Sequence, residues 1–246
     1  MRPSGWQVLA GILVNAIYAM KNYPIMMVNT VLSPLSFLIV ITFVSHGQLI
    51  GEAIEGGFIM SMFQAGMSLQ GDLAHYKNDF KLQDMIVSTP TTPFAYVAGM
   101  AVGEVIYVIP ALAVLVTLTE IYIHPNVFSA LELLAVLLLM FLASVTLGFT
   151  LSTFSSDIIQ SFAFSSIIST LFSTLPPVYY PITYIPLPYR YFAYLSPTTY
   201  AAEISQNLTG MIELSSSQVI IAWVVLAAVS LALLLISISK ARWREI

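Results

Sequence analysis

The chain contains no cysteine, which excludes disulfides, thiolate metal centres and cysteine nucleophiles. Charge is nearly as scarce. Asp, Glu, Lys and Arg make up 8% of the 246 residues, where an ordinary soluble domain carries about 25%. Water cannot solvate a surface so poor in charge, so the chain is read as a polytopic membrane protein. Only eight basic residues occur, too few and too scattered for a nucleic-acid footprint. No Gly-x-x-x-x-Gly-Lys-Ser/Thr is present, so the chain has no phosphate-binding P-loop of its own. His46, His75 and His124 are read into separate loops with no His-Glu-x-x-His spacing, which speaks against a metal site. Arg2 precedes an apolar stretch, but no small-x-small site ends it, so no cleaved signal is expected.

What remains is apolar: 58% of residues are hydrophobic, with a mean hydropathy of +0.88. Six runs approach the ~20 residues needed to cross a bilayer core: Ile25–Val44, Ile50–Leu69, Phe94–Leu118, Ala130–Leu151, Ile158–Leu175 and Val219–Ser239. The expected fold is all-α, a single transmembrane domain over residues 1–246. With six alternating spans, Arg2, Lys21, Lys77, Lys81, Lys240, Arg242 and Arg244 share one side and Arg190 alone takes the other. The positive-inside rule makes the first side cytoplasmic, with both termini there, in a cell (plasma) membrane. In residues 3–22, Ser4, Gln7, Gly11, Asn15, Tyr18 and Asn22 form a helical polar stripe bracketed by Trp6 and Lys21. This predicts an amphipathic helix lying in the interface, with a seventh span as the alternative.

Two segments stand out between the spans. Residues 72–93 form a polar island. Read as a helix, Lys77, Lys81, Asp84 and Ser88 share one face, and Leu82, Met85 and Ile86 the other, until Pro90 and Pro93 stop it. Such a helix suits a membrane surface or a partner's groove. The second segment, 176–216, is dense in proline and tyrosine. Pro176–Pro197 holds six of the thirteen prolines, among and just before seven tyrosines from Tyr179 to Tyr200. It predicts broken helices re-entering the outer leaflet and packed on protein. Within the spans, Glu104 is an isolated acid near mid-membrane. Because no Lys or Arg lies between Leu82 and Tyr189, it must be protonated, bonded to neighbouring polar groups or wet. Glu52 and Glu55 are read as near the outer interface. Ser161, Ser165, Ser169 and Ser173 recur at i+4, a stripe for close helix packing or for a hydrated path. Gly99-x-x-x-Gly103 reads as packing. Asn207-Leu208-Thr209 is a glycosylation sequon on the outer side.

Three stretches carry a family resemblance. Lys81-Leu82-Gln83-Asp84-Met85-Ile86-Val87-Ser88-Thr89-Pro90 resembles the cytoplasmic segment of ABC-2-type transporter permeases, whereas Lys77-Asn78-Asp79-Phe80 departs from that family's lead-in. Pro181-Ile182-Thr183-Tyr184-Ile185-Pro186 and Tyr194-Leu195-Ser196-Pro197-Thr198-Thr199-Tyr200-Ala201-Ala202-Glu203 resemble the signature before the family's last span. The resemblance implies the permease subunit of an ABC exporter of the drug- or polysaccharide-export kind, not itself an enzyme. The subunit would act as a homodimer or heterodimer in the lipid bilayer, with separate ATPase subunits holding ATP and Mg. It assigns ATPase coupling to Lys77, Lys81, Leu82, Asp84, Met85, Ile86 and Ser88. Pro181, Tyr184, Pro186, Pro197, Tyr200 and Glu203 fall in the re-entrant segment. Glu104, Ser161, Ser165, Ser169 and Ser173 are the candidates for the path or for a helix interface. An ATP-independent carrier or channel is the alternative. Its marks are an intramembrane charge network or an inverted repeat.

Overall fold

A computed structural model describes residues 5–22, 24–78, 93–155, 157–174 and 176–240. The protein is 84% helical, without strands among the described residues. The first helical stretch runs as α1 (Gly5–Ile12), a π-helical stretch (Leu13–Tyr18) and α2 (Ala19–Asn22). The long helices follow: α3 (Ile25–Val44), α4 (Ile50–Asn78), α5 (Pro93–Tyr122), α6 (Val127–Phe154) and α7 (Ile158–Thr174). After an irregular proline segment come a 3-10 turn (Ile182–Tyr184), α8 (Arg190–Ala193), α9 (Pro197–Leu208) and the last long helix, α10 (Ser216–Lys240).

Local chemistry sets several boundaries. Pro93 opens α5 at the position where a missing N–H costs nothing. Asn126 caps α6 by accepting the Ser129 N–H at 2.9 Å. Ser196 caps α9 through the Thr198 N–H, with Pro197 in the first turn. One expected boundary is corrected. The polar island begins inside a helix, because α4 continues through Asp72 and His75 to Asn78. His75 therefore stands on α4 and not in a loop. No proline interrupts that stretch, and Asp72 finds a partner on α5, so polarity alone does not end the helix.

Among the described residues, four helices are long and apolar enough to cross a membrane: Met27–Val44, Ala95–Tyr122, Val127–Phe154 and Ser216–Ser239. A shorter apolar stretch covers Ile159–Phe172. Long though it is, α4 is not among the four, and the reason is its position. It is the hub, packed against α3, α5, α6, α7 and α9, and nearly every residue from Gly51 to Gln70 is buried. A helix enclosed by protein need not be apolar. It needs small residues and paired polar groups.

Backbones approach closely where glycine allows it. A Cβ on Gly66 would fall on the Ser144 hydroxyl and 2.6 Å from the Val145 nitrogen, and one on Gly148 would lie 2.7 Å from the Gly66 carbonyl. The α4–α6 crossing is therefore a direct backbone contact. Side-chain hydroxyls add cross-helix bonds around it. Ser144 Oγ donates to the Met62 carbonyl at 3.2 Å, Thr30 Oγ1 to Tyr107 at 3.1 Å, and Ser230 Oγ to Leu139 at 3.1 Å. Phe58, Phe63, Leu115, Met140, Ile204 and Leu226 fill the core between α4, α5, α6, α9 and α10. By contrast, α3 and α10 turn most of their apolar surface outward, as lipid-facing helices do. At the amino-terminal end, Gly11 of α1 meets Gly99 of α5, a Cβ on Gly11 lying 3.2 Å from the Gly99 Cα. The glycine pair in α5 thus includes a packing contact.

Candidate transport and coupling site

Of the coupling residues, Lys77 lies in the last turn of α4. Lys81, Leu82, Asp84, Met85, Ile86 and Ser88 lie outside the described residues, as do Pro90 and most of that loop. The structure does describe the stem. α4 leads into the loop and α5 leads out of it, and the two helices pack on one another. Across this stem the carboxyl groups of Asp72 and Glu104 share a hydrogen bond. One of two carboxyls must keep its proton for such a bond to form. Glu104 is 7% exposed, Asp72 is exposed, and His75 acts on Asp72 from the same helix. The isolated intramembrane acid therefore has a partner 32 residues earlier, in a stretch whose polarity reads as loop.

The serine stripe meets α4 through Gln70. This glutamine is fully buried and its Nε2 donates to the Ser161 carbonyl at 2.9 Å and to Ser161 Oγ at 3.2 Å. Ser165 Oγ in turn donates to Gln70 Oε1 at 2.7 Å. Ser161 and Ser165 therefore serve a helix interface. Ser169 is half-buried, and the Ser173 side chain lies outside the described residues. The outward face of α7 carries Ile159, Phe162, Ser166, Ile167, Thr170 and Leu171.

The proline segment and α9 form a compact cap on the ends of α4, α6 and α7. Pro181 and Pro197 are buried, Pro186 and Tyr184 are exposed, and Tyr200 is half-buried. Arg190 Nη2 donates to the Thr183 and Ile185 carbonyls, each at 3.1 Å, which ties the turn on itself. Tyr194 donates its hydroxyl to Glu203 Oε1 at 3.0 Å. Burial pushes the Glu203 carboxyl above the usual carboxylate range, while Tyr194 and Arg190 hold it down. Burial, and next the Glu203 charge, push the Tyr194 hydroxyl up to about 12. Thr198 Oγ1 donates to the Phe172 carbonyl at 3.0 Å, joining the cap to α7, and Ser129 Oγ donates to Leu208, joining it to α6. Asn207 of the sequon accepts the Leu214 N–H at 3.0 Å and so shapes the turn after α9.

Sequence reasoning missed two residues here. Gln70 is one: a lone amide inside an apolar run signals a cross-helix bond, but its partners are 91 and 95 residues away. Glu55 is the other. It is enclosed by protein and accepts the Ser205 hydroxyl of α9, a partner 150 residues away. Among the described residues, no three His, Asp or Glu side chains converge as metal ligands would.

An all-helical chain with a polar-lined hub, lipid-facing outer helices and a folded cap over one end is a multi-pass membrane protein. The chain belongs to the ABC-2 type transporter family, which it matches over residues 7–208. It is thus a transmembrane permease component of an ABC-2 transporter. The match runs from α1 to the last residue of α9 and so takes in the hub, the loop stem and the cap. No individual curated protein matches the chain.

Proposed function

We propose that this chain is the membrane half of an ATP-driven exporter. It forms the substrate path with a second permease copy or homologue, coupled to two separate ATPase subunits that bind ATP and Mg. The family match over residues 7–208 is the observation that carries this reading. Six spans, formed by α3, α4, α5, α6, α7 and α10, place both termini and the 79–92 loop in the cytoplasm and the cap outside. The stretch from Lys77 to Ser88 docks on the ATPase.

The fold supports a direct mechanical route. Movement imposed on the loop reaches α4 and α5 together, because Asp72 and Glu104 are bonded across its base. α4 passes the movement to α3, α6, α7 and α9, since it touches all four. Its last contacts are with the cap, at the opposite end from the loop. The cargo crosses between the two permease chains.

Asp84→Lys, reversing a charge on the docking face, should uncouple ATP hydrolysis from transport while the spans remain folded. Transport at the parental rate in that variant would remove the docking face. Gentle-detergent purification of the tagged chain should bring a stoichiometric ATPase, lost with Asp84→Lys. A chain that purifies alone and moves substrate without ATP would instead be a carrier.

A further inference from the structure

Glu55 has 0% of its surface exposed. One carboxyl oxygen, Oε2, accepts the Ser205 hydroxyl of α9; the other, Oε1, is buried without a partner. The next residue, Gly56, brings the α4 backbone against the proline segment. A Cβ there would lie 2.5 Å from the Val178 carbonyl oxygen and 2.7 Å from Tyr179 Cδ1. Gln206 Nε2 reaches the same Val178 carbonyl at 3.5 Å. Hub helix, α9 and proline segment therefore meet at this acid.

Nothing at this junction offsets a negative charge. The described stretches of α3 and α7 contain no charged residue. On α5, Glu120 is exposed and Glu104 is bonded to Asp72; on α6, Glu132 is exposed. α9 carries Tyr200 and Glu203, the latter taken by Tyr194. The proline segment brings Tyr179 and Tyr180, and α4 itself adds Glu52. The one cation of the cap, Arg190, is turned to the Thr183 and Ile185 carbonyls and acts on Glu203. The remaining groups are acids or phenols. An ionised carboxylate with one hydroxyl partner and an orphaned oxygen is not accommodated by such a site, whereas the neutral acid is.

We propose that Glu55 is a proton-binding latch. As the neutral acid it seats α9 and the proline segment on α4, and when the segment lifts, outer water reaches the carboxyl and takes up its proton. One proton leaves outward per opening and returns on closing, so no other reactant is needed. By linkage, acid outside favours the seated cap, and each rise of one pH unit favours lifting by up to about tenfold. The inference rests on the orientation proposed above, with the cap outside.

The cysteine-free background makes the test direct. Val178→Cys, buried under the seated cap, and Thr183→Cys, exposed on it, are labelled separately by a membrane-impermeant maleimide. The measurement is made in intact cells making the full chain with its ATPase partner. Thr183→Cys supplies the pH dependence of the thiol itself. The Val178/Thr183 labelling ratio should climb several-fold per unit as the outer pH rises above the ordinary carboxylate range. With Glu55→Gln, which mimics the neutral acid, the ratio should stay low and flat. A flat ratio with Glu55 present, or an unchanged slope in Glu55→Gln, would overturn the latch. If Glu55→Gln does not reach the membrane, Ser205→Ala decides: it should raise the acid-side ratio several-fold, and an unchanged ratio refutes the proposal. Labelling of Thr183→Cys only from the cytoplasmic face would instead overturn the orientation, and outward proton release with it.

Discussion

Gln70→Met tests whether the serine stripe is an interface in energetic terms. The replacement keeps the volume of the buried side chain and removes three hydrogen bonds to α7, two of them from a single nitrogen to Ser161. Cross-helix side-chain bonds in membranes average about 0.6 kcal/mol and reach about 1.7. Ser161 and Ser165 can turn their hydroxyls back to carbonyls of their own helix, so little burial penalty is added. The expected loss is therefore about 1–2 kcal/mol, a roughly 5–30-fold shift toward an unseated α7. In detergent this lowers the melting temperature by roughly 2–8 °C, at about 2–4 °C per kcal/mol for a chain of this size. A second readout is local. A Cβ at Gly71 would lie 3.9 Å from Phe162 Cε1, so a Gly71→Cys/Phe162→Cys pair should be joined by a short bismaleimide in the parent and poorly beside Gln70→Met. Ser165→Ala combined with Gln70→Met should cost less than the two singles added, because both remove the same bond. Parental melting together with parental cross-linking in Gln70→Met would refute the clamp.

Further outcomes follow from the crossing and from the cap. Gly66→Ala should destabilise the chain by about 1–3 kcal/mol, because its Cβ meets backbone as well as the Ser144 hydroxyl. Adding Ser144→Gly should restore only part of this, since the Val145 nitrogen remains in the way. Gly5→Ala, with nothing within 4 Å, is the matched control and should be silent. Thermal melting of the three variants checks all of this. Because burial raises Glu203 in the folded cap, its favourable contribution is complete below the ordinary carboxylate range and is lost as pH rises through the raised value. Glu203→Gln should therefore reduce the fall in melting temperature with rising pH just above that range. Identical pH–melting curves for parent and variant would refute the assignment.

Some elements could be read from the chain alone, and the reason differs with each. The bounds of α3, Ile25–Val44, coincide with an uncharged, mostly apolar run that begins after Pro24. α10 and α6 were visible in the same way, because lipid-facing helices must be apolar over a bilayer's width. α4 was harder at its inner end. Asp72 and His75 look like loop residues until Glu104 supplies the partner that lets a polar turn stay helical. The cap's irregularity was legible in its prolines and tyrosines. Its internal bonds, Tyr194 to Glu203 and Arg190 to two carbonyls, were not.

By itself, then, the sequence determined the solvent and the secondary structure. Too little charge to face water, apolar runs of spanning length and prolines crowded into one stretch each act through local chemistry that needs no distant contact. Tertiary structure alone decided which polar groups have partners. Gln70 with Ser161 and Ser165, Asp72 with Glu104, and Glu55 with Ser205 are separated by tens to more than a hundred residues. In a low-dielectric interior a polar side chain is costly until it is paired. The packing of α4 against its neighbours therefore determines whether each of these residues is a clamp, a shared proton or an acid left with one oxygen unsatisfied.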